Sequence, residues 1–397
     1  MQQSIENQQP SRYRIDSIDI LRGLVMVVMA VDHTREFFHH DSLIGNDPTN
    51  LQTTSPLLFF TRWITHFCAP VFVFLSGTSI FLYSQKSKSK SEVASFLLKR
   101  GLFLIIAEIV IVNFVLQFNY GSFMLLEVIW VIGLSMIVLA ALQYLPYNVL
   151  LIIDLLIFFG NDLLDGVKVN QPAASVVWTF LHSIQMYKIT PGFTLLIAYP
   201  LLQWLGLMII GYCIGKLYTK NVNPSYRKEF LLIAGITCIL LFIVLRYING
   251  YGDVSKWSTQ QTSLYTFLSF LRTSKHPPSL LFMLMTIGPA LVILSIAENA
   301  RNRFTKFLIV YGKVPFFYFI AHFFLIHVTA IIFYLISGRG TGNIDFTGTV
   351  AKMPIIGYPL WVVYIVWLSV VLLLYYPCKW YGNYKATHPQ KKWLSYL

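Results

Sequence analysis

Charge is scarce in this chain. Asp, Glu, Lys and Arg make up 12% of its 397 residues, against 56% hydrophobic residues and a mean hydropathy of +0.62. A water-soluble globule of this length needs far more polar surface, so a soluble fold is excluded. Acids are scarcer than bases, 17 against 30, for a net charge of +13. The basic residues fall between apolar runs, and no zinc-finger or helix-turn-helix spacing accompanies them, so anionic lipid is the expected partner and nucleic acid is not. The four cysteines, Cys68, Cys213, Cys238 and Cys378, lie in or beside apolar runs. Their spacing suits neither a disulfide framework nor a metal set, and they read as small packing residues. There is no P-loop, dinucleotide-binding glycine set, HExxH or GxSxG, which removes support for ATPase, dehydrogenase and serine hydrolase chemistry. No internal repeat is visible, which weakens a transporter built on inverted repeats. The polar start MQQSIENQQPSRYR lacks a small-residue cleavage site, so no removable signal peptide is expected.

What the chain has instead is apolar runs. They fall near residues 17–38, 57–83, 101–118, 123–142, 147–159, 193–217, 230–247, 279–297, 307–335 and 355–376. At roughly 20 residues per crossing this predicts an all-α polytopic membrane protein of about ten transmembrane helices. Basic residues gather in alternate connections: Lys86, Lys88, Lys90, Lys99 and Arg100 in one, Arg301, Arg303, Lys306 and Lys313 in another. Lys379, Lys385, Lys391 and Lys392 follow the last run. The positive-inside rule then puts both termini in the cytoplasm, with a tail over 1–16, a membrane domain over 17–377 and a basic tail over 378–397. The expected location is a cytoplasmic membrane. Pro70 should kink the second run, and the stretch 160–192 should be a polar or interfacial loop.

The first run, SIDILRGLVMVVMAVDHTREFFHH, is the one with chemistry in it. Asp19 and Arg22 open it, nine uncharged residues follow, and Asp32, His33, Arg35 and Glu36 close it. Ionisable groups within a span are costly and mark function. At helical spacing Asp19, Arg22, Met26, Ala30, His33, Phe37 and His40 share one face. Arg22 and His33 are eleven residues apart, about 16 Å along a helix, and would serve the two ends of one long ligand. His33, with Asp32 or Glu36 as its carboxylate partner, is a candidate general base. His66, one turn after Arg62, would face it across the same cavity. Ser76, Gly77 and Thr78 permit close approach of a ligand or helix. His39 and His40 invite a metal reading, but no further ligands at suitable spacing appear, and no metal is expected. Glu108 and Asp154 need partners, with Arg246 or Lys275 available for Asp154. His322 is a candidate cavity residue, and the Lys275-His-Pro-Pro-Ser279 segment a turn able to position substrate.

SIDILRGLVMVVMAVDHTREFF and TRWITHFCAPVFVFLSGTSIFL, with KHPPSLLFMLMTIGPALVIL, YGKVPFFYFIAHFFLIH and KKWLSYL, resemble the bacterial heparan-alpha-glucosaminide N-acetyltransferase-like family over nearly the whole chain. In the broader acyltransferase-3 group an arginine precedes a catalytic histidine by the spacing of Arg22 and His33. In the lysosomal enzyme an asparagine stands where His33 aligns and the catalytic histidine lies in the next loop, to which His39 or His40 would correspond. The resemblance implies transfer of an acyl group, acetyl above all, from cytoplasmic acyl-CoA to a hydroxyl or amine beyond the membrane, on a glycan or other small acceptor. Arg22 and Asp19 would hold the donor, with Ser76, Gly77 and Thr78 along its arm. His33, Asp32, Glu36, His66 and His40 are the catalytic candidates. Membrane lipids are partners in either case, and homo-oligomerisation is compatible. The alternative is a proton- or ion-coupled secondary transporter relaying through Asp19, Glu108, Asp154 and His33.

Overall fold

Lipid offers no hydrogen bonds to a backbone, so an apolar chain in a membrane closes its own as helices. The computed structural model describes residues 15–43, 45–120, 122–338 and 357–395. Its helices are α1 (Asp16–Phe38), α2 (Pro56–Thr65), α3 (Cys68–Ser84), α4 (Lys90–Ala107), α5 (Val128–Leu142), α6 (Tyr147–Gly160) and α7 (Pro172–Leu181). They continue as α8 (Leu201–Ile214), α9 (Pro224–Ile248), α10 (Ser263–Leu271), α11 (Leu280–Ala297), α12 (Arg303–Gly312), α13 (Pro315–Ile336) and α14 (Leu360–Thr387). Among the described residues seven helical segments, rather than ten, are long and apolar enough to cross a membrane: Pro56–Ser84, Tyr147–Leu164, Leu201–Tyr218, Pro224–Ile248, Leu280–Ala297, Pro315–Ile336 and Leu360–Thr387. The chain is a mostly helical, multi-pass membrane protein. Most of the expected N-terminal tail and the start of the last expected run lie outside the described residues.

Two of the runs read as crossings begin as strands. Phe123–Leu126 forms β1 ahead of α5, and Phe193–Ile197 forms β3 ahead of α8. Four or five apolar residues suit a strand as well as a helix, and periodicity does not separate them. The loop over 160–192 is also structured: it holds α7 and β2 (Gln185–Thr190), which turns at Gly192 into β3. The sheet runs β1-β3-β2, with β1 and β3 parallel and β2 antiparallel to β3. Proline sets two helix boundaries. Pro70, in the first turn of α3, breaks the second run at His66–Phe67, and Pro315 opens α13 just after α12 stops at Gly312.

α1 is the hub. It packs against α2, α3, α11, α12, α13 and α14. Trp367 of α14 donates its indole N–H to the Val27 carbonyl of α1 at 2.8 Å, and Ser17 donates to Glu298 at 2.7 Å. Reciprocal glycines let the helices touch backbone to backbone. A Cβ on Gly23 would meet the Leu308 carbonyl oxygen of α12 at 1.9 Å, and one on Gly312 would meet the Asp19 oxygen at 2.0 Å. The same pairing joins α3 to α8. There Gly77 faces the Met208 oxygen and Gly211 the Phe74 oxygen, each at 2.0 Å.

Gly77→Ala therefore forces α3 and α8 apart, and overpacking of this kind costs ~1–3 kcal/mol. The expected outcome is a lower unfolding temperature in detergent. Gly160→Ala is the control, since nothing lies within 4 Å of its added Cβ.

Candidate active site

Three adjoining cavities run beside α1. The first, about 220 Å³, is lined by Ile15, Ile18, Asp19, Arg22, Ser79, Leu82 and Lys86. The second, about 100 Å³, shares Arg22 with the first and is otherwise apolar apart from Ser76 and Arg100. The third, about 250 Å³, shares Phe72, Val128 and Phe319 with the second. Asp32, His33, Glu36, Arg62, Glu127, Tyr199, Lys275 and His276 line the third. A row of space thus follows one face of α1 from Arg22 to His33.

At the first end the Arg22 guanidinium bonds the Asp19 carboxylate at 3.1 Å, the Ser79 hydroxyl at 3.0 Å and the Gly312 carbonyl at 3.2 Å. Asp19 and Arg22 are one helical turn apart, and their pairing is what makes the charge tolerable there. Ser76 and Ser79 reach the cavities. Gly77 and Thr78 do not: they turn to α8, where the Thr78 hydroxyl bonds the Gly211 carbonyl at 3.0 Å. Serines at i and i+3 share a face, and the two residues between them point elsewhere.

At the other end Asp32 is committed to arginines. It accepts from Arg35 at 3.0 and 3.1 Å and pairs with Arg62 of α2. Glu36 lies 3.6 Å from Arg35. The four side chains form a cluster of two acids and two guanidiniums. His33 turns the other way. Its Nδ1 lies 2.7 Å from Nε2 of His322 on α13, and its ring stacks on Phe323 with centroids 3.9 Å apart. His322 is fully buried, and its Nδ1 lies 2.8 Å from the Tyr318 carbonyl. The histidine's partner is therefore another histidine, not Asp32 or Glu36.

His66 is buried with its ring edge on Phe282, centroids 5.5 Å apart, and it is not part of the cavity wall around His33. His40 stands beyond the end of α1, its side chain 58% exposed and 3.1 Å from Asp41. His39, His40 and Asp41 place three ligand-type atoms within 4.8 Å of one another, one of them on the exposed His40. Asp154 is fully buried beside Gly206, with both oxygens unpartnered. Arg246, expected near it, instead donates to the carbonyls of Ser255, Ser269, Phe270 and Arg272.

Sequence reasoning passed over Glu127 and Tyr199 as site residues. Glu127 stands at the start of α5, its backbone N–H held by the Glu108 carboxylate at 2.9 Å. Glu108 opens a π-helical turn, Glu108–Val112, and Asn113 just after it clips Leu125 of β1 through two hydrogen bonds of 2.8 and 2.9 Å. The sheet thereby carries Leu125 and Glu127 to the cavity. Lys275 sits with its ammonium 5.7 Å from the Tyr199 ring centre. Burial, then the nearby Arg62, pushes its pKa down to about 8. The signal for Lys275 was its place in a proline-rich turn; Glu127 and Tyr199 gave none.

Among curated proteins no match was found. The family model described as heparan-alpha-glucosaminide N-acetyltransferase, catalytic, matches residues 14–241. That stretch is more than half of the chain and includes the cavity-lining Arg22, Arg62, Ser76, Ser79 and Arg100 as well as Glu127 and Tyr199. The chain belongs to the heparan-alpha-glucosaminide N-acetyltransferase catalytic family.

Proposed function

We propose that the protein transfers an acyl group, acetyl above all, from acyl-CoA bound at the Arg22 end to a hydroxyl or amine held at the His33 end. The observation that carries this reading is the row of cavities joining two chemically different ends of one helix face. Arg22, Lys86 and Arg100 offer cations for the phosphates of a nucleotide thioester at what we take to be the cytoplasmic side. The mostly apolar middle suits an extended arm, and the ~16 Å rise from Arg22 to His33 suits its length. No observation here favours the transporter.

At the far end His33 is the base. It takes the proton from the acceptor as the acceptor's oxygen or nitrogen attacks the thioester carbonyl. The C–S bond then breaks and the departing sulfur collects that proton from His33. His33 lines the cavity, whereas His40 and His66 do not, and this selects it among the three. Asp32 acts as a strut: it neutralises Arg35 and Arg62 and fixes α1 against α2. The side chains of Glu127 and Lys275 have no hydrogen bond or ion pair to protein among the described residues, so their charges are left for the acceptor, which we take to be an extracytoplasmic glycan or similar polar molecule.

Purified protein in liposomes should release CoA from labelled acetyl-CoA when acceptor is supplied, and His33→Ala should abolish that release. Release unchanged in His33→Ala would remove His33 from the chemistry. Glu127→Gln and Lys275→Met should raise the acceptor KM about tenfold, the value of ~1.4 kcal/mol of lost binding, with the donor KM unchanged. Lys275 is cationic below a pKa of about 8 and neutral above it. The acceptor KM should accordingly rise between pH 7 and 9, and Lys275→Arg should flatten that rise. Asp32→Ala leaves Glu36 as the remaining carboxylate beside the Arg35 and Arg62 guanidiniums and should cost ~3–5 kcal/mol of stability. Adding Arg62→Leu should recover part of the loss in the same unfolding assay, whereas full recovery of activity by neither would be expected.

A further inference from the structure

We infer that His322 is a positioning residue that fixes the tautomer of His33, leaving Nε2 of His33 as the basic atom. The inference rests on the acyl-transfer reading for its consequence, but its structural core stands on hydrogen-bond bookkeeping alone.

A carbonyl oxygen cannot donate a hydrogen bond. Since Nδ1 of His322 lies 2.8 Å from the Tyr318 carbonyl, Nδ1 carries a proton. A doubly protonated His322 would be a cation with no exposed surface and no carboxylate bonded to it, which is strongly disfavoured. His322 is therefore neutral, and its Nε2 holds a lone pair. That nitrogen lies 2.7 Å from Nδ1 of His33, so the proton between the rings belongs to His33 Nδ1. A neutral His33 then has its lone pair on Nε2. Nε2 makes no hydrogen bond to protein among the described residues, and His33 lines the cavity in which the acceptor would stand. In solution the other neutral tautomer, with the proton on Nε2, would place a donor where the reaction needs an acceptor.

The neighbouring rings hold this arrangement. His33 lies against Phe323, centroids 3.9 Å apart, and His322 stacks on Tyr318 with an interplanar angle of 11°. Tyr318, His322 and Phe323 all belong to α13, at offsets that put the first two on one face. When His33 takes the acceptor's proton at Nε2, its Nδ1–H stays bonded to His322, and the positive charge is shared through that hydrogen bond without a second proton moving. His322 lines none of the three cavities and so acts only through His33.

The test uses ¹⁵N-histidine-labelled full-length protein in nanodiscs, with His33 assigned by its loss in His33→Gln. The expected wild-type spectrum shows His33 as the Nδ1–H tautomer, with Nε2 at the shift of an unprotonated ring nitrogen. A wild-type His33 protonated at Nε2 overturns the inference whether or not the protein turns over acyl-CoA. In His322→Phe, which keeps a ring and removes the acceptor, the Nδ1–H signature should be lost. The kcat should fall about 10²-fold with both KM values held within about twofold. His322→Gln, whose carboxamide oxygen can take the place of Nε2, should restore the signature and most of kcat. Retention of the signature in a folded His322→Phe protein would also overturn the inference. Should that variant fail to fold, the wild-type and His322→Gln spectra still decide. A confirmed tautomer with no CoA release from any variant would count against the acyltransferase reading and leave the assignment of the His33 tautomer standing.

Discussion

The structure depends on burying a charged helix. α1 carries seven ionisable side chains, Asp16, Asp19, Arg22, Asp32, His33, Arg35 and Glu36, yet it packs against six other helices. In a low-dielectric interior an uncompensated charge is the most expensive thing a fold can hold. The neighbours of α1 are arranged to prevent that. Arg22 is satisfied by its own Asp19, by Ser79 of α3 and by a carbonyl of α12. Asp32 is satisfied by Arg35 and by Arg62 of α2. The crossing that brings α12 within reach is one where glycines meet backbone oxygens, so there the small residues and the charges belong to one constraint.

That constraint also divides the labour along α1. Between Arg22 and His33 the wall is mainly apolar, Met26, Leu104, Ile132, Met136, Phe316 and Phe319 among it, with Arg22 and Arg100 its charged residues. Polar groups begin again only in the third cavity. On the acyl-transfer reading, an apolar middle would keep water away from a thioester in transit. The volumes fit this division: the narrowest space, about 100 Å³, lies between two of more than twice that size.

The parts of the fold legible in the sequence were those set by local pattern. The apolar runs gave the long helices, and the spacing of Asp19, Arg22 and His33 gave the face of α1 along which the cavities lie. Strands β1 and β3 were illegible because each is a short apolar stretch running into a helix, and only pairing across the chain, Phe123 with Thr194, distinguishes them. Glu127, Tyr199 and Lys275 were illegible as a group for the same reason. They come from three distant segments, and the device that aims Glu127 is a carboxylate in a π-helical turn nineteen residues earlier. Ser76, Gly77 and Thr78 show the reverse failure: adjacency in sequence suggested a shared role, whereas helical geometry sends Ser76 to the cavity and its two successors to α8.

The Asp32-His33 pair is the instructive case. Adjacent residues on a helix point about 100° apart, so a carboxylate next to a histidine in sequence is badly placed to orient it. Asp32 uses that divergence to meet two guanidiniums, and His33 uses it to meet α13. A carboxylate brought to His33 from elsewhere would need a counterion of its own in a wall that has already spent its arginines on Asp32. A neutral histidine needs none: the carbonyl of Tyr318, one turn back on the same helix, is enough to set its proton. Burial thus favours a neutral orienting group over a charged one here. The distances of 2.7 and 2.8 Å along the carbonyl–His322–His33 chain are the form that preference takes.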